Sequence, residues 1–237
     1  MTSKPRERLS PQVAKQVRAM IMTGEIVGYE RLRAERLAEQ LGVSATPVRE
    51  ALMALAGEGF VTFSPGRGFT AVPLTRRDLQ DVYDVQAFIS GELAARAASE
   101  LTDADIVTLW ELQHRIVELV QEGRLEEAQR VDFEWHRTIN RASHAPKLMW
   151  YLKMTHQYVP FEAYGAIPGW HRAGCEGHLP VMFGLETRDP HGTREAMSAH
   201  IRHARALVLD LLEARGQRFD DDAALSAGGT DDAAPAA

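Results

Sequence analysis

The sequence predicts a mainly α protein, an N-terminal winged helix-turn-helix followed by an all-α bundle of about six helices. Two observations carry this. Three short amphipathic segments between residues 10 and 56 lead into a single alternating segment interrupted by Ser64-Pro65-Gly66-Arg67-Gly68. From Leu74 to about Gly216, strand signals vanish and apolar residues recur at helical spacing. The expected domains are residues 1–73 and 74–216, with 217–237 as an acidic, disordered tail that has no periodic face to bury.

The first helix is expected over 10–23, with Ser10 as N-cap, Pro11 at the first helical position, and Val13, Val17, Met20 and Ile21 on one face. Gly24 ends it. A second, about 34–41, turns Leu37, Ala38 and Leu41 inward, and Gly42 supplies the left-handed residue that closes it. Ser44 then caps a third, about 45–56, whose buried face is Val48, Ala51, Leu52 and Leu55. Phe60-Val61-Thr62-Phe63 and Phe69-Thr70-Ala71-Val72 flank the turn as the two strands of a wing. Beyond it, helix breaks are expected near Leu101-Thr102, Gly123, Ala145-Pro146, Ile167-Pro168-Gly169 and Arg188-Asp189-Pro190.

Composition narrows the setting. With 45% hydrophobic and 25% charged residues among 237, the chain has the makeup of an ordinary globular protein. No run approaches the roughly 18 apolar residues of a membrane span. Met1-Thr2-Ser3-Lys4-Pro5-Arg6 lacks a signal peptide's apolar segment, so a cytoplasmic location is expected. One cysteine, Cys175, cannot make an intramolecular disulfide. Residues 1–73 carry ten Lys/Arg against seven Glu, a net of +3, while the whole chain is −6. A basic head on an acidic body suits contact with phosphate at one end only.

With its inner face occupied, the third helix presents Ala45, Thr46, Arg49, Glu50 and Met53 outward. Arg49 can donate two hydrogen bonds to a guanine, and Thr46 can reach a base or a phosphate. Arg67, between two glycines at the wing tip, is suited to a minor groove or a phosphate. The candidate DNA contacts are Arg36, Ser44, Thr46, Arg49, Arg67 and Gly68. A competing reading makes the three helices a packing unit in which Arg49 pairs with Glu50 or Glu35.

Residues 37–52 (LAEQLGVSATPVREAL), Glu58-Gly59-Phe60-Val61 and Gly66-Arg67-Gly68-Phe69 together closely resemble GntR-family regulators. Ala45 stands where such proteins often have Arg, and Ala34-Glu35 where they often have an acidic residue followed by Arg. The resemblance implies DNA binding, with a changed operator preference at those two points.

In the second domain, a helix from about Leu125 to Ala142 has an apolar stripe of Leu125, Ala128, Val131, Trp135, Ile139 and Ala142, with Asp132 and His136 at its edge. Four residues apart, these two share one side and can share an ion. His178 and His200 lie ten and twelve residues either side of Arg188, so on antiparallel helices they stand within about one turn of each other in height. Asp132, His136, His178 and His200 form a first shell suited to a divalent transition metal such as zinc, nickel or manganese. The alternative is core histidines with ordinary hydrogen-bond partners.

Residues 78–210 resemble the FadR-type C-terminal (FCD) domain of GntR regulators, through Asp78-Leu79, Val82-Tyr83, Asp132-Phe133-Glu134-Trp135-His136, His178 and His200. The resemblance implies a metal held by one Asp and three His. Gly177-His178 replaces a frequent Glu-His pair, and Pro180 is expected in the first turn of its helix. Gln86 breaks the stripe Leu79, Val82, Ile89, Leu93, Ala97, where similar proteins often carry an Arg that grips an acidic ligand. Gln86, Tyr83 and Arg137 are the candidate ligand-binding residues, although Gln86 can equally lie on a dimer face. Trp150, Tyr151, Tyr158, Phe161, Tyr164 and Trp170 either wall a cavity or form core.

The functional expectation is a homodimeric regulator, a repressor by family resemblance, that binds operator DNA and senses a small, carboxylate-bearing metabolite at a metal-containing domain. Two rivals are a metal-dependent enzyme fused to a DNA-binding head, and a direct metal sensor.

Overall fold

The structure is a computed structural model that describes residues 9–158, 167 and 169–214. It divides into two compact units at Arg76 and Arg77. In the first, α1 (Leu9–Met22), α2 (Ala34–Leu41) and α3 (Ala45–Gly57) enclose Val13, Val17, Leu37, Val48, Leu52 and Leu55. Helix α1 begins at Leu9, so Ser10 and Pro11 lie within its first turn, where a missing N–H costs nothing. Gly42 closes α2 at φ 65°.

The wing is a three-stranded antiparallel sheet in the order β1 (Arg31–Leu32), β3 (Gly68–Ala71), β2 (Val61–Ser64). Val61 pairs with Ala71 and Ser64 with Gly68. Pro65 and Gly66 form the turn between them: Arg67 N–H donates to Ser64 C=O at 3.0 Å, and Gly66 has the positive φ, 77°, that a type II turn requires at this place. Strand β1 is unforeseen. Its two residues are too few for alternation to register, and pairing with Phe69 and Thr70 defines it.

Among the described residues the second unit is all helical: α4 (Arg76–Glu100), α5 (Asp103–Gln121), α6 (Leu125–Ala142), α7 (Pro146–Thr155), α8 (Trp170–Glu186) and α9 (Pro190–Ala214), with a 3-10 turn over His156–Tyr158. All five expected breaks fall between these helices. A capping box opens α5, where Thr102 Oγ1 accepts from Asp105 N–H and Asp105 accepts from Thr102 N–H. Asp189 Oδ1 accepts from His191 N–H at the start of α9. Helices α5 and α6 pack together, as do α8 and α9, and α5 also packs on α8. Leu109, Ile116, Trp135, Ile139, Val181, Met182, Leu185 and Met197 form one buried cluster.

Two expectations need correcting. Leu125 is exposed: it is the first residue of α6, and the buried stripe begins a turn later with Ala128 and Gln129. Pro180 lies inside α8 rather than in its first turn, because the helix already starts at Trp170. Pro180 therefore leaves the Glu176 carbonyl without its usual helical donor. The tail from 217 onward, with Phe161 and Tyr164, lies outside the described residues.

Candidate metal centre, ligand cavity and DNA-reading face

On the first unit the expected contact residues are all at the surface. Arg36, Ser44, Thr46, Arg49 and Arg67 are exposed and Gly68 is half-buried. Ser44 holds the extended conformation of an N-cap, φ −80° and ψ 162°, yet its side chain makes no capping hydrogen bond. The first backbone N–H groups of α3 are therefore not capped by the Ser44 side chain, at a positive helix end of the kind that suits phosphate. Arg49 donates to Glu35 Oε1 at 2.5 Å, the competing pairing expected from the sequence. Both side chains are more than 60% exposed (62% and 65%), so water screens the pair and a phosphate or guanine can replace it at little cost. A hydrogen bond from its own backbone, and after it the one from Arg49, hold Glu35 below the usual carboxylate range.

The second unit gathers polar groups in its interior. Asp132 and His136 stand one turn apart on α6, His178 comes from α8, and His200 from α9. One nitrogen from each imidazole lies within 4.8 Å of the other two. His136 and His200 face each other through Nε2 at 3.4 Å. His178 Nε2 is 3.4 Å from Asp132 Oδ1 and is fully buried without a hydrogen-bond partner among the described residues. Its ring is clamped face to face on Trp135, centroids 3.8 Å apart and planes 11° apart.

Burial sets the charges. It drives His178 and His136 well below the ordinary histidine value, with the neighbouring His200 adding to the effect, and lowers His200 to about 4. The imidazoles are therefore neutral near pH 7, the state in which they ligate metals. Burial pushes Asp132 up to about 7, because leaving water disfavours the charged carboxylate. An orphaned buried nitrogen, two inward-facing imidazoles and one carboxylate fit a divalent transition metal, and do not fit the all-oxygen shells of magnesium or calcium.

Two further residues support the cluster, and only Gln113 was not singled out from the sequence. Gln113 on α5, 2% exposed, meets His178 Nδ1 through Oε1 at 2.7 Å. It follows Ile106 and Leu109 and precedes Ile116 on a buried stripe, the same polar-member signal that drew attention to Gln86. Gly177 is the other: a Cβ there would collide with His200 Nδ1. The departure from Glu-His to Gly-His thus makes room for the His200 ring against α8.

Above the cluster opens a cavity of about 740 Å³, with Asp132, His136 and His200 in its wall. Tyr83, Gln86 and Arg137 all line it. Gln86 is buried, and its Nε2 has no hydrogen-bond partner among the described residues. Arg137 sits at the wall in an ion pair with Glu134, one turn earlier on α6. Of the aromatic run, Trp170 lines the cavity, whereas Trp150 and Tyr151 are exposed on α7 and Tyr158 is half-buried outside the lining.

The family model described as "FCD domain" matches residues 81–203, just over half of the chain, and that of "Bacterial regulatory proteins, gntR family" matches residues 9–70. Among curated relatives, the Escherichia coli K12 HTH-type transcriptional regulator McbR is 26% identical over 196 residues, covering 80% of this chain and 88% of that protein. The Nta operon transcriptional regulator of Aminobacter aminovorans is 28% identical over 187 residues, covering 77% and 86%. In fold, the chain resembles the solved structure of E. coli McbR/YncC, with a TM-score of 0.60 at 24% identity over 89% of this chain and 99% of that one. No helix among the described residues is long and apolar enough to cross a membrane. The chain belongs to the GntR family of bacterial regulatory proteins with an FCD domain, and is a DNA-binding transcription regulator rather than an enzyme.

Proposed function

We propose that this regulator is a homodimeric repressor whose helical unit contains a divalent transition metal and releases operator DNA when a small carboxylate-bearing metabolite binds. The observation that carries the reading is the convergence of His136, His178 and His200 beside Asp132, with Asp132, His136 and His200 in the wall of a ligand-sized cavity. Zinc, nickel or manganese would be held by these four residues, and when bound would supply a positive Lewis-acid centre for an anionic ligand.

The cavity's charge supports an anionic effector. Among the described residues, Arg130, Arg137, Arg141 and Lys153 line it, against the single carboxylate of Asp132. Gln86 offers its amide hydrogens to an acceptor on the ligand without adding charge, and Ser90, one turn along α4, adds a hydroxyl to the same wall. A twofold protein reads near-palindromic DNA, so two wings and two copies of α3 would address two half-sites. Effector binding lowers operator affinity only to the extent that the ligand prefers the non-binding arrangement of the two heads.

The test is operator binding by the full chain on fragments of the promoter region beside its own coding sequence, before and after chelation, with carboxylic acids screened by thermal shift. The reading predicts salt-sensitive, sequence-selective binding that a carboxylic acid weakens only in metal-loaded protein. Metal addition alone releasing the DNA would replace it with a direct metal sensor. Equal response of chelated and loaded protein to the acid would remove the metal from the account.

A further inference from the structure

Gln113 bridges two helices with no freedom in its orientation. Its Nε2 donates to the backbone carbonyl of Cys175 on α8 at 3.0 Å. A carbonyl can only accept, so the amide nitrogen must face Cys175 and the amide oxygen must face His178. That oxygen, 2.7 Å from His178 Nδ1, can itself only accept. The proton of the neutral His178 ring is therefore on Nδ1, and Nε2 carries the lone pair. The opposite tautomer would set two acceptors against each other in a site where Gln113 and His178 are 2% and 0% exposed.

We infer that Gln113 is a positioning residue that fixes the tautomer of His178, so that Nε2 alone is turned toward His136, His200 and Asp132 as a donor atom. Trp135 holds the plane of the ring by stacking, and Gln113 holds its rotation and its proton. The cluster is then organised for a cation before one arrives, and the organising contact comes from α5, which contributes none of the four ligands. This rests on the metal-centre reading for its purpose, but the tautomer claim stands on hydrogen bonding alone.

The two are separable by experiment on the full chain. In chelated wild-type protein, nitrogen-15 NMR of the histidine rings is expected to show His178 protonated at Nδ1. Gln113→Leu is expected to give a mixture of tautomers and to lower zinc affinity, measured by competition with a chromophoric chelator, by about 10- to 100-fold. Gln113→Glu, buried and therefore protonated, keeps an oxygen in reach of Nδ1 and a hydroxyl for the Cys175 carbonyl, and is expected to restore the tautomer and most of the affinity, a rescue that a purely packing role would not produce. An Nε2–H tautomer in the wild type overturns the inference without recourse to any variant, as does a Gln113→Leu protein with the same tautomer and zinc affinity as wild type. Absence of zinc binding by wild-type protein overturns the metal reading, and the tautomer result then decides the role of Gln113 separately.

Discussion

The two units place their polar working residues in opposite settings. On the winged helix, Arg36, Thr46, Arg49 and Arg67 are exposed and stand on an apolar core formed without them. In the helical unit, His178, Gln113 and Gln86 are part of the core, at 0%, 2% and 3% exposure. Surface charges are cheap to hold and cheap to redirect, which suits a face proposed to exchange Glu35 and water for DNA. Buried polar groups are costly unless each finds a partner, so they are committed to one arrangement. Changes on the first unit should alter DNA binding and spare stability, whereas changes in the second should affect both ligand chemistry and folding.

The largest expected effect lies in the helical unit. His178→Ala removes a ring stacked on Trp135, leaves Gln113 Oε1 without its donor, and deletes a candidate metal ligand. Stability should fall by about 2–4 kcal/mol in denaturant unfolding, and zinc affinity by more than about 100-fold. A variant as stable as wild type would break the contrast between the units.

Arg49→Ala is the matching test on the other side. Operator affinity should drop by about 1–3 kcal/mol with loss of selectivity at one base pair, while the unfolding free energy changes by no more than about 0.5 kcal/mol. Loss of stability comparable to that of His178→Ala would show that the Glu35 pair is structural after all.

The smallest effect is one of pH and sharpens the comparison within the buried site. His200, lowered to about 4 from 6.5, contributes stability that is complete above the unfolded value and is lost as pH falls from about 6.5 to 4. Asp132, raised to about 7 from 3.8, works the other way: the folded state keeps its proton longer, so its contribution is lost as pH rises from 3.8 to 7. In chelated protein the two trends oppose each other. Asp132→Asn removes one of them, so its stability should fall more steeply than that of wild type between pH 6.5 and 4, read by urea unfolding. An unchanged slope would mean that Asp132 is ionised in the folded protein.

The same contrast explains what the sequence disclosed. Each expected helix of the bundle was legible because its buried face repeats at three and four residues and its ends carry Gly, Pro or a capping residue, as at Gly123 and Asp189-Pro190. The wing was legible from Pro65-Gly66 and alternation on either side, but β1 was not, since two residues define no period. Asp132 and His136 were readable as neighbours on one helix, and counting from Arg188 brought His178 and His200 level. What counting could not give was contact between elements far apart in sequence. Gln113 meets His178 across 65 residues, and Gly177 matters only because a ring on α9 lies against it. Pro180 misled for a related reason: a proline marks a helix start only when nothing before it is helical, and α8 already had ten residues in place.

The most direct measurement is the metal content of the purified full chain after reconstitution with zinc and removal of excess, for wild type and for His136→Ala. The account predicts one equivalent per chain in wild-type protein and a large loss in the variant, because His136 Nε2 faces His200 Nε2 at the centre of the cluster. A metal-free wild type, or a His136→Ala protein with undiminished metal, would contradict it.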